Sequence, residues 1–248
     1  MTETVDQNPY GRGFVAACIV IGAVLLCGGV LIIAGLTDSA SASAPVAVAT
    51  TPAGTPEPVG PATPAPAGVT NLCGLPDGDQ AVPTTAPAVD GWEVNRRVVV
   101  PRSAAYGPAK VDADGDRRCF AHSPGGAVFA AYSAIAAMAD QRRTVATVTK
   151  LMLPGPATDA LLRELRAESV DEDSDPSQLA GYRVIDASRD RATIALAMPV
   201  ESAYVSATLT LVWHDGDWRV VPPQPGESVG APYSQHRDLD GFVAWSGV

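Results

Sequence analysis

The sequence predicts an α+β domain set behind an N-terminal membrane helix and a Pro/Ala-rich linker. Three observations carry that prediction. Residues 14–36 form one uncharged apolar run, and residues 37–72 are dominated by Ala, Pro, Thr, Val, Ser and Gly. In the remainder, apolar residues recur first at helical spacing and then, from Gly181 onward, at every second position. Helices followed by an antiparallel meander place the helices on one face of the sheet. The expected segments are a tail over 1–13, a transmembrane helix over 14–36, a disordered linker over 37–72, an α+β domain over 73–223 and a C-terminal tail over 224–248.

The apolar run FVAACIVIGAVLLCGGVLIIAGL extends from Phe14 to Leu36. At ~1.5 Å per residue it spans roughly 35 Å as a helix, enough for a hydrocarbon core of about 30 Å. A chain crossing lipid must satisfy its backbone internally, which selects the helix. The Ala40-Ser41-Ala42 triplet offers a rival reading as a signal-peptidase site, but the run exceeds the roughly 7–15 residues of a signal core. Val15-Ala16-Ala17-Cys18 resembles a lipobox but almost no apolar stretch precedes it, and Leu26 stands before Cys27 where a small residue is wanted, so lipidation is not expected. Arg12 before the helix and Asp38 after it favour a cytoplasmic N-terminus and an external C-terminal domain.

The linker lacks the large apolar side chains that offset ordering entropy, so it is expected to be disordered or polyproline-like. At ~3.1 Å per residue it would reach about 110 Å when extended. It reads equally as a stalk that lifts the domain off the membrane and as a tether with no length requirement. Outside the apolar run the chain has two cysteines, Cys73 and Cys119. In a domain held outside the cytoplasm such a pair is expected to form a disulfide.

Within the domain, the β-branched stretch Trp92–Val100 between Gly91 and Pro101 reads as one strand. Ser123-Pro124 is a helix start, with a capping hydroxyl followed by proline at the first turn. Val128, Phe129, Tyr132, Ile135 and Ala139 follow as an apolar stripe. Residues 143–152 and Thr158–Glu168 read as two more helices, the last facing inward through Leu161, Leu162 and Leu165. Gly181–Ser188, Ala192–Val200, Ala203–Trp213 and Asp217–Val221 read as successive strands. In the third, Val205, Ala207, Leu209, Leu211 and Trp213 alternate with polar residues, so one face is buried. Asp215-Gly216 is a favoured two-residue hairpin turn between Trp213 and Trp218.

Seventeen basic against 27 acidic residues give a net charge of −10, which argues against the basic footprint of a nucleic-acid binder. The sequence offers no catalytic, cofactor-binding or metal-ligating constellation. Asp112-Ala113-Asp114-Gly115-Asp116 resembles the start of a calcium loop, but Arg117 and Ser123 stand where an EF-hand needs Gly and Glu. A solvated turn is the simpler reading there, as is an exposed loop for the acidic run Asp171–Asp175. His122 and Ser123 are adjacent at a helix entry, so capping is the expected role of Ser123.

The element order, with Trp213-His214-Asp215-Gly216-Asp217-Trp218-Arg219-Val220 near its end, resembles the cystatin-like fold of the nuclear-transport-factor-two superfamily over roughly residues 90–223. The layout also resembles single-pass membrane proteins of actinobacterial integrative and conjugative elements. Trp92–Pro101, Cys119-Phe120-Ala121-His122-Ser123 and Gly241–Val248 carry that likeness. It implies an extracytoplasmic assembly factor with protein partners in a membrane complex, not an enzyme. Other members of the same superfamily are isomerases or dehydratases that work inside the cone of the sheet, where Tyr132 and Tyr182 would be the candidate lining residues, although both read more simply as core residues. A wall-associated structural protein is the third expectation.

Overall fold

The structure is a computed structural model, and it describes residues 73–167 and 178–248. The expected membrane helix, its cytoplasmic tail, the linker and the Asp171–Asp175 run lie outside the described residues. Among the described residues no helix is long and apolar enough to cross a membrane.

The order of elements is β1 (Gly91–Asn95), β2 (Val98–Arg102), β3 (Lys110–Val111), β4 (Arg117–Arg118), α1 (Pro124–Met138), a 3₁₀ turn (Gln141–Arg143), α2 (Thr144–Leu151) and α3 (Pro156–Ala167). Strands β5 (Gly181–Ala187), β6 (Arg191–Val200), β7 (Ala203–His214), β8 (Asp217–Val220), β9 (Ser234–His236) and β10 (Val243–Ala244) follow. This is a mixed α+β domain built on a large antiparallel sheet. The sheet runs β10-β5-β6-β7-β8, with β9 also on β7.

Helix α1 is the centre of the fold. Ser123 is extended and its hydroxyl accepts the N–H of Gly126 at 3.1 Å, while Pro124 opens the first turn. The sequence suggests a one-sided apolar stripe, but every residue of α1 except Ile135 and Met138 is buried. The reason is that α1 carries no charge and is covered on two sides. Val98 and Val100 of the β1–β2 hairpin pack on Ala136, and Ile194, Leu196, Leu209 and Leu211 of the sheet pack on the other side. A helix apolar all round has to be enclosed in this way.

On β6, Ala192, Ile194 and Leu196 pair with Leu211, Leu209 and Ala207 of β7, and these six form the core side of the sheet. Thr193, Ala195 and Ala197 alternate onto the outer side opposite Thr210, Thr208 and Ser206. The period of two therefore translates directly into two faces.

Two sequence expectations about element boundaries also require correction. Trp92–Val100 is not one strand but a hairpin, turned at Arg96 (φ 48°) and Arg97 (φ 72°). A two-residue hairpin loop needs left-handed backbone, usually supplied by Gly, Asn or Asp, so two arginines hide it. Contacts from distant parts of the chain hold Arg96 in that geometry. Its guanidinium donates to Asp116 at 2.6 Å, to Ala137 O at 2.9 Å, to Asp114 O at 3.1 Å and to Thr147 Oγ1 at 3.1 Å.

The second correction concerns the boundary at Pro223. The last residues belong to the folded domain: β9 pairs with β7, β10 pairs with β5, and Trp245 is buried in the main core. Between β9 and β10 the chain crosses the outer face of the sheet. Phe242 lies under the Arg183 guanidinium, 4.8 Å from its ring centroid, and contacts His236 edge-on. Small residues make room for this crossing. A side chain at Gly181 would meet Val243 O at 2.6 Å, and Ala195 and Ala197 are fully covered.

Candidate functional site

The β7–β8 hairpin joins polar and aromatic contacts from three parts of the chain. Asp215 (φ 50°) and Gly216 (φ 79°) form its turn, and Trp213 faces Trp218 across the strands. His214 sits 3.2 Å from the exposed Asp215 carboxylate. The working group is two residues further on. The buried Asp217 carboxylate accepts the backbone N–H of Cys119 at 2.9 Å, of Phe120 at 3.1 Å and of Trp218 at 3.0 Å. Burial pushes its pKa above the ordinary value, against the opposing pull of those N–H groups and of Arg219. Trp218 Nε1 donates to Ala121 O at 2.9 Å. Asp217 and Trp218 together clamp the segment that leads into α1.

Cys119, at φ 67°, is bonded to Cys73, whose sulfur lies 4.0 Å from Gly216 O. Just beyond, the His122 ring stacks on Trp213 with centroids 4.0 Å apart and planes 10° from parallel. His122 Nε2 is 2.8 Å from Asp190, and Nδ1 is 4.0 Å from Asp77. Asp77 pairs with Arg189 at 2.7 Å, and Gln80 donates to His122 O at 2.8 Å. The ring is thus turned to carboxylates, while the Ser123 hydroxyl is engaged as the helix cap. The two adjacent residues do not form a nucleophile–base pair.

The Asp112–Asp116 run is the loop of the β3–β4 hairpin, closed by Asp112 N–H to Asp116 O at 2.8 Å. Its carboxylates face the protein's own cations. Asp116 is fully buried between Arg96 at 2.6 Å and Lys150 at 3.1 Å. Asp114 pairs with Lys150 and, at 2.9 Å, with Arg143. Asp112 reaches Arg118 at 3.2 Å and Lys110 at 3.5 Å. The hydrogen bond from Lys150 brings the Asp114 carboxyl down to about 2, and the same bond raises Lys150. The solvated turn read from sequence is therefore, at Asp116, a buried ionic junction. Among the described residues no group of three or more His, Cys, Asp or Glu side chains is arranged to hold a metal.

Inside the fold, Tyr132 and Tyr182 do face the space between α1 and the sheet. That space is filled. Trp245 packs edge-on against Phe129, Tyr132 and Tyr182 at centroid distances of 5.0, 4.9 and 5.6 Å. The Tyr132 hydroxyl donates to Trp245 O at 2.8 Å, and that of Tyr182 donates to Thr85 O at 3.1 Å. Burial pushes the Tyr182 phenol up to about 12 and Tyr132 further in the same direction, so both stay protonated donors.

Sequence reading missed three features. Ser206 Oγ lies 2.9 Å from His236 Nε2, joining β7 to β9. Arg96 meets Asp116, and Trp245 enters the core. Each joins residues far apart in the chain, and only the aromatic pair Phe242 and Trp245 near the end of the sequence gave a local signal. Two open surface grooves are also present. One, of about 370 Å³, has Thr193, Thr208, Thr210, Pro222, Pro223 and Pro232 among its lining residues. The other, of about 530 Å³, runs along α3 past Leu162 and Arg166.

A family model described as "Domain of unknown function (DUF8175)" matches residues 49–244. The chain belongs to the DUF8175 family. No curated protein and no solved structure matches it. The DUF8175 match includes the disulfide, the Asp217–Trp218 clamp and both strands of the C-terminal crossing, and it extends upstream into the Pro/Ala-rich stretch.

Proposed function

We propose that this DUF8175 protein is a single-pass membrane protein whose cystatin-like domain, displayed outside the membrane, is a non-enzymatic assembly component of a conjugation- or secretion-type complex. The observation that carries this reading is the Trp245 side chain seated between α1 and the sheet. In cone-shaped domains that bind or transform small molecules, this interior is where the ligand sits. Here Phe129, Tyr132, Tyr182 and Trp245 occupy it, which leaves the outer surfaces and open grooves as the places for a partner. Such surfaces suit protein contacts better than a small ligand, which needs an enclosing apolar cavity.

The test is crosslinking in intact cells followed by purification from membranes. The expected result is membrane-dependent recovery with other transfer or secretion proteins, and an isolated monomer would overturn the reading. An alkaline-phosphatase fusion placed after Leu36 is expected to be active; an inactive reporter would reverse the orientation.

A further inference from the structure

The chain that precedes Cys73 meets the described domain at a covalent junction. Cys73 is bonded to Cys119, 46 positions later in sequence. Between the two lie β1 to β4 and the ionic junction around Asp116. Cys119 itself begins the short segment that enters α1, and this segment is fixed to the sheet three times. The N–H groups of Cys119 and Phe120 donate to Asp217, and Ala121 O accepts from Trp218. Asp217 and Trp218 are in turn strand residues of the central sheet.

We infer that the Cys73–Cys119 bridge and the Asp217–Trp218 clamp form a mechanical mount, so that tension arriving along the chain before Cys73 passes directly into the α1–sheet core and bypasses residues 74–118. The weakness of the bypassed route supports this. From Gly74 to Ala88 only Leu75 is buried, and the polar contacts from this stretch to the rest of the domain include those of Asp77 with Arg189 and His122, of Gln80 with His122 O and of Thr85 O with Tyr182. Without the bridge a pull would peel this stretch first. Reduction is therefore a switch of load path. A dithiol reductant gives two electrons and two protons to the bridge, leaving two thiols on the protein and closing its own disulfide. The biological use of the mount rests on the membrane-tether reading above; the load path itself does not.

The test stretches the full-length protein in detergent between handles attached enzymatically at its two ends. With the bridge intact, unfolding is expected in one main high-force event. Its total extension should be shorter than that of the reduced protein by about 160 Å, at ~3.5 Å per bypassed residue. The reduced protein and Cys73→Ser are expected to add an early step at no more than half that force. An early low-force step in the oxidised protein, or equal extensions in both states, would overturn the bypass. Asp217→Asn keeps one carbonyl acceptor but turns its NH2 toward either the Cys119 or the Phe120 N–H, and should lower the main force by a third or more. An unchanged force would overturn the clamp. Sedimentation of the same preparation with membranes is measured separately, so failure of the tether reading is distinguishable from failure of the mount.

Discussion

The hydroxyl of Tyr132, midway along α1, donates to the carbonyl of Trp245, 113 residues later, at 2.8 Å. This bond and the ring contacts around it close the core with the last few residues of the chain. Trp245→Ala removes the ring shared by Phe129, Tyr132 and Tyr182. The expected loss is about 3–5 kcal/mol of stability. Tyr132→Phe leaves the Trp245 carbonyl without its donor and should cost about 1–3 kcal/mol. Urea titrations followed by tryptophan fluorescence and circular dichroism would measure both. A Trp245→Ala protein as stable as the parent would show that the C-terminal crossing is not part of the core.

Asp217 and Asp215 are two residues apart but should differ sharply in their response to substitution. Asp217→Ala leaves the Cys119 and Phe120 N–H groups without an acceptor, at about 1–3 kcal/mol for each buried donor. Asp215→Asn should be nearly neutral, because Asn also tolerates the left-handed turn backbone and Asp215 is exposed. The difference between their denaturation midpoints is the readout.

The β3–β4 loop predicts an acid-sensitive domain. The Asp114 carboxyl is held at about 2, against an ordinary value of 3.8, by the Lys150 hydrogen bond. A depressed folded-state value contributes stability that is complete above the ordinary value and is lost as pH falls through about 2. Glu93, through its hydrogen bond from Arg117, is shifted the same way. Asp217, raised by burial, opposes them: its ionised form is disfavoured in the fold, and acid relieves that cost. Melting temperatures between pH 5 and pH 2 are expected to fall less steeply in Asp114→Asn than in the parent. They are expected to fall more steeply in Asp217→Asn.

Arg96→Gly separates backbone preference from side-chain bonding. Glycine suits φ 48° better than arginine does. However, the substitution takes the guanidinium from the fully buried Asp116 and leaves that carboxylate to Lys150 alone. Breaking a buried pair on one side costs about 3–5 kcal/mol, against roughly 1 kcal/mol gained in the turn. Net destabilisation by calorimetry is the expected outcome. A more stable variant would show that the turn itself, not the ionic junction, positions the β1–β2 hairpin.

By itself, the sequence determined those parts of this protein whose signals are local. Ser123-Pro124 marked the start of α1, the period of two marked β5 to β8, and Asp215-Gly216 marked the hairpin turn. Each depends on a few neighbouring residues whose backbone preferences agree with the final structure. The tertiary structure alone decided the Arg96–Arg97 turn, the all-round burial of α1 and the return of the C-terminus into the core. It also decided what the Trp213–Trp218 hairpin does. Read locally, its histidine and aspartates suggest chemistry; in the fold, Asp217 and Trp218 bind the backbone of Cys119–Ala121, nearly a hundred residues upstream. Such pairings are stabilised by partners that sequence proximity does not reveal. The energy that selects them exists only once the chain has been brought together.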